Sequence, residues 1–105
     1  MIFSSRLFLG ESLKGREARI IKKLKKHKLI LGAYIICLAE NGTDPLEYFD
    51  CKQLKQPYYD SDDDLHVCGL AADEEEAIDI IYKIVQASAD GGYASVRSYV
   101  EDMFT

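Results

Sequence analysis

The chain has 105 residues, 48% of them apolar and 30% charged, with a net charge of −5. That length suits one domain, 1–105, with a modest core, and excludes two. No run reaches the roughly 18 apolar residues of a membrane span, and three cysteines without a close pair argue against a disulfide framework.

The charge is unevenly spread. Residues 1–28 carry nine Lys/Arg against Glu11 and Glu17, whereas 29–105 carry four against sixteen acids. "MIFSSRLFLGESL" lacks the basic lead and small-residue cleavage pattern of a signal peptide. With an odd number of cysteines, this points to a reducing cytoplasm.

Ile2, Phe3, Leu7, Phe8 and Leu9 are too apolar for a free tail and should dock on the core as a short strand or an extended arm. Leu13, Ile20, Ile21 and Leu24 recur at helical spacing and predict a helix over 11–26, with Gly15 weakening its first turn. In "KLILGAYIICLA" (28–39) the β-branched and aromatic residues favour a strand. Asn41-Gly42 then signals a hairpin. "LEYFDC" (46–51) returns as a second strand, placed at a sheet edge by Pro45, Glu47 and Asp50. After a loop containing Pro57 and four acids, "LHVCGLA" (65–71) forms a third strand. Leu65, Val67 and Gly69 are expected on one face and His66, Cys68 and Leu70 on the other. Asp73-x-x-Glu76 resembles a capping box, and opens a helix whose apolar face is Ala77, Ile78, Ile81, Ile84 and Val85. Gly91 and Gly92 close it. Val96, Tyr99, Val100 and Met103 predict a last short helix. The expected fold is α+β, a two-layer sandwich in the order α-β-β-β-α-α, with a small three-stranded, mostly antiparallel sheet covered by helices on one face.

The acids of "YYDSDDDLHVCGLAADEEEA" (58–77) invite a metal. A calcium loop starting at Asp60 would need Gly where Leu65 stands and Glu where Ala71 stands, so it fails. His27, Cys37, Cys51, His66 and Cys68 contain no zinc-type spacing. Cys68 and His66 could form a thiol nucleophile with its base, but two residues along a flat strand are about 7 Å apart, beyond hydrogen-bond reach. No Gly-rich phosphate loop occurs, and acids at the 73–76 helix start would repel an anion. No metal or cofactor is therefore expected.

Arg16, Arg19, Lys22, Lys23, Lys25, Lys26 and Lys28 would line one side of the first helix. Such a stripe can neutralise phosphates, with Arg19, Lys22, Lys23 and Lys26 as its candidate contacts. Stacking aromatics are not interleaved with it. The preferred alternative is a solvated face paired with acids of this chain or of a second copy.

The segments "FSSRLFLGE", "NGTDPLEYFD" and "HVCGLAADEEEAIDIIYKIV" resemble a family of small, uncharacterised bacterial proteins of Firmicutes type. That resemblance implies cytoplasmic residence and brings no catalytic or binding residue. The leading reading is thus a non-catalytic protein-interaction or assembly module, homo-oligomeric through complementary charge and an exposed strand edge. Nucleic-acid binding through residues 14–28 is the alternative, and an enzyme built on Cys68 and His66 a distant third.

Overall fold

The computed structural model describes residues 2–26, 32–39, 45–51 and 65–104. The predicted Asn41-Gly42 turn, the acids Asp60 to Asp64, His27 and Lys28 lie outside the described residues.

Among the described residues, four strands form one mixed sheet: β1 (Ile2–Leu9), β2 (Tyr34–Leu38), β3 (Leu46–Asp50) and β4 (His66–Ala71), in the spatial order β1-β4-β2-β3. β1 runs parallel to β4, and β2 runs antiparallel to both β4 and β3. Helices α1 (Glu17–Lys25), α2 (Glu74–Asp90) and α3 (Val96–Asp102) complete the element order β-α-β-β-β-α-α. The expected order α-β-β-β-α-α is therefore corrected by one strand at the front.

The N-terminal segment is that strand. Its pairing with β4 slips between Phe3 and Phe8, and this irregularity erases the period-two pattern that would mark it in the sequence. The slipped stretch is anchored elsewhere. Ser4 is buried, its hydroxyl donates to the Met103 carbonyl at 2.9 Å, and Arg6 Nη2 donates to the Asp102 carbonyl at 2.9 Å.

A two-layer sandwich with helices on one face is also corrected. Ile20 and Leu24 of α1, with Leu13, cluster with Ile35, Cys37, Phe49, Val67 and Leu70. The opposite side chains Ile36, Cys68 and Ala71 cluster with Ile80 and Ile84 of α2 and Val100 of α3. Neighbouring strand residues point to opposite faces, so helices cover both. Leu70 departs from its expected side because β4 carries a bulge. Ile36 pairs with Gly69 and Cys37 with Val67, leaving Cys68 as the extra residue. Every side chain beyond the bulge changes face.

The predicted helix over 11–26 is split. A 3-10 turn spans Glu11–Leu13, and Gly15 at φ +87° reverses the chain before α1 begins. α2 starts as its sequence predicts, with Asp73 Oδ1 accepting from the Glu76 amide at 2.8 Å. Glu76 departs from the capping box. It accepts from the Ala72 amide at 2.8 Å and the Ser12 hydroxyl at 3.0 Å, and so clamps the 3-10 turn to α2. α3 opens with a true capping box between Ser95 and Ser98.

Candidate functional site: a strand edge and a cationic helix

Among the described residues β3 is an edge strand, because in the order β1-β4-β2-β3 its one neighbour is β2. The Cys51 amide donates to the Ala33 carbonyl at 2.9 Å, and the Ala39 amide donates to the Pro45 carbonyl at 3.3 Å. These bonds fix the phase of the antiparallel ladder. Odd-numbered residues of β3 turn their backbone groups toward β2, and the amides and carbonyls of Leu46 and Tyr48 point away from it.

Beside this edge lies a surface that hydrophobic periodicity alone places in the core. Ile78 and Val85 were expected on the buried face of α2, yet they are 38% and 42% exposed, and neighbouring Tyr82 is 71% exposed. The buried face is Ala77, Ile80, Ile84 and Ser88. Glu74, Ile78, Ile81 and Val85 follow at i, i+4, i+7 and i+11, one row along the helix. This row lies on the β3 side of α2. Tyr48 donates its hydroxyl to Glu74 Oε1 at 3.0 Å, and Ile81 packs in the same cluster as Leu46 and Tyr48. That bond to Glu74, followed by burial and the carboxylate charge, raises the Tyr48 hydroxyl above its usual range. The available signal was the width of the apolar arc on α2, since Ile78, Ile80, Ile84 and Val85 cannot share one narrow stripe.

On α1, Ile20 and Leu24 face the sheet, and the cations share the rest of the circumference with Glu17, Ala18 and Ile21. Arg19, Lys22, Lys23 and Lys26 are all exposed, as are Arg16 and Lys25. The ion pairs among the described residues lie elsewhere: Arg6 with Asp102, Lys14 with Glu11, and Arg97 with Glu101. Two depressions flank the cationic ridge. A cleft of about 200 Å³ has Arg16, Arg19 and Lys23 around a floor of Leu13, Ile20 and Ala33. A wider groove on the other flank runs along Ala18 and Ile21 under Lys22, Lys25 and Lys26. Lys25 Nζ also stands 5.7 Å from the centre of the Phe3 ring.

The thiol reading does not survive the geometry. Cys68 is fully buried, its Sγ lies 3.5 Å from the Ile36 carbonyl, and burial pushes its thiol up to about 12. A nucleophilic cysteine needs the opposite shift and access to solvent. Burial, with the Asp50 charge behind it, likewise pushes Cys51 up to about 12. Cys37 is buried too, with its Sγ 3.8 Å from Glu47 Oε1. His66 is half-buried and stands edge-on to the Phe104 ring at 5.0 Å. Among the described residues, no three His, Cys, Asp or Glu side chains gather where they could hold a metal ion. No helix among those residues is long and apolar enough to cross a membrane. No protein-family model, curated protein or solved structure matches the chain.

Proposed function

We propose that the protein is a non-catalytic assembly module that self-associates through the outer edge of β3 and the adjoining apolar row of α2. The observation that carries this reading is the continuity of the two surfaces. Leu46 and Tyr48 offer outward backbone groups, and Ile78, Tyr82 and Val85 stand exposed on the same side of the sheet.

An antiparallel strand edge is complementary to itself under a two-fold axis, so a second copy is its natural occupant. Pairing would satisfy the outward amides and carbonyls and extend the sheet from four strands to eight. The two α2 rows would then meet above the joined strands, removing their apolar side chains from water. β3 has only five residues, so backbone pairing alone would be weak and the helix row must supply part of the affinity.

Sedimentation equilibrium of the wild type against the double variant Tyr82→Glu/Val85→Glu tests the proposal. Both side chains are exposed, so the variant should keep its fold, checked by circular dichroism. The wild type is expected to sediment as a dimer and the variant as a monomer. A wild type that stays monomeric at high concentration, or a variant that dimerises equally well, would overturn the proposal.

A further inference from the structure

We propose that the outer face of α1 binds the phosphate backbone of a nucleic-acid duplex, without reading its sequence. The inference stands independently of self-association, because it uses a different surface.

Six cations fall within residues 16–26, and all six are exposed. Glu17 is the sole acid in that stretch, and its Oε2 accepts from the Gly15 amide at 2.8 Å. Arg19, Lys22, Lys23 and Lys26 occupy neighbouring positions at i, i+3, i+4 and i+7, where like charges repel along a helix. A polyanion relieves that repulsion and gains by releasing its own counterions. The crest also has the right shape. Its cations rise along a ridge held rigid by Leu24, which is fully buried beneath it. The cleft on one flank, with Arg16, Arg19 and Lys23 at its walls, has room for a phosphate group held by charge-assisted bonds.

Other anionic partners fit less well. A lipid surface would need exposed large apolar side chains beside the cations, and α1 offers Ala18 and a half-buried Ile21. Single strands are held by stacking on aromatic rings, and no aromatic residue lies within 16–26. The acids that open α2 make a poor match in a second copy. Asp73, Glu74 and Glu76 already accept hydrogen bonds within their own chain.

The test is fluorescence anisotropy of the full chain with a labelled duplex of about 20 base pairs at low salt. Engaging roughly four phosphates predicts about a 100-fold loss of affinity when salt rises fourfold. The triple variant Lys22→Glu/Lys23→Glu/Lys26→Glu should abolish binding with its circular dichroism spectrum unchanged, and the corresponding Gln variant should weaken it partway. Lys83→Glu, on α2, should bind as the wild type does. A single strand of equal length should bind more weakly than the duplex. The proposal is overturned by absence of duplex binding at low salt, by binding that survives the triple Glu variant, or by tighter binding of the single strand. It is equally overturned if anionic vesicles are bound and the duplex is not, or if the Glu variant alters oligomeric state alone.

Discussion

Replacing Leu24 by Ala separates a docked α1 from one that merely lies against the sheet. Leu24 is fully buried and shares a cluster with Ile35, Val67 and Leu70 on the face opposite α2. Truncation removes its transfer free energy and leaves a cavity that neighbouring side chains only partly fill, at a typical cost of about 2–5 kcal/mol. α1 has nine residues, below the roughly 12–15 at which an isolated helix becomes even marginal in water. Its helicity therefore depends on that contact, and the cost should fall near the middle of the range, about 3 kcal/mol. Against a total stability of about 5–15 kcal/mol for a domain, this is a large fraction. The midpoint of thermal unfolding should fall by roughly 12–24 °C, at about 4–8 °C per kcal/mol. Urea titration followed by circular dichroism measures the change directly, with Lys22→Ala as an exposed control expected within about 0.5 kcal/mol of wild type. A loss below about 1 kcal/mol in Leu24→Ala would refute the docking of α1 on the sheet.

Gly10→Ala should destabilise the fold by about 1–3 kcal/mol, because a Cβ there would meet the Glu76 carboxylate that holds Ser12 and Ala72. A double-mutant cycle with Glu76→Ala should then show strong coupling, and additive effects would contradict the clamp. Native-state iodoacetamide labelling should leave Cys51 and Cys68 unmodified at mildly alkaline pH, with both reacting once urea unfolds the chain. The same raised thiols set a pH dependence. Their protonated form is favoured by folding, so stability is unaffected below the ordinary thiol value of 9.0 and falls as pH rises from there towards about 12. Chemical denaturation at stepped alkaline pH checks this sign, and a rise in stability over that interval would contradict it.

The elements whose signal is local were legible in the sequence. Asp73 caps α2 through a bond to a residue three positions on, and such a signal depends on no distant partner. Tyr34 to Leu38 and His66 to Ala71 read as strands because their β-branched and apolar residues suit a buried sheet. The features the sequence does not show depend on contacts far apart in the chain. β1 became a strand by pairing with β4, more than 60 residues away, and its slip between Phe3 and Phe8 hid the alternation. Leu70 changed face because a bulge at Cys68 is set by the register against β2. Ile78 and Val85 were read as core because hydrophobicity alone does not tell which apolar arc of α2 meets the sheet. The edge position of β3 was legible from Pro45, Glu47 and Asp50, whereas its alignment with the α2 row was not. The cations of α1 were legible as residues. That the described ion pairs lie away from these cations emerged from the fold.

The most direct test of assembly through the β3 edge is a disulfide across it. A two-fold axis through the outward-facing Tyr48 would bring the two copies of that residue within about 5.5 Å at Cα, inside the range a disulfide spans. The three native cysteines are buried, so they do not compete. Tyr48→Cys, oxidised under native conditions, is predicted to run as a covalent dimer on a non-reducing gel, and Lys83→Cys on α2 to stay monomeric. A Tyr48→Cys protein that remains monomeric, or crosslinks no faster than Lys83→Cys, would contradict assembly through β3.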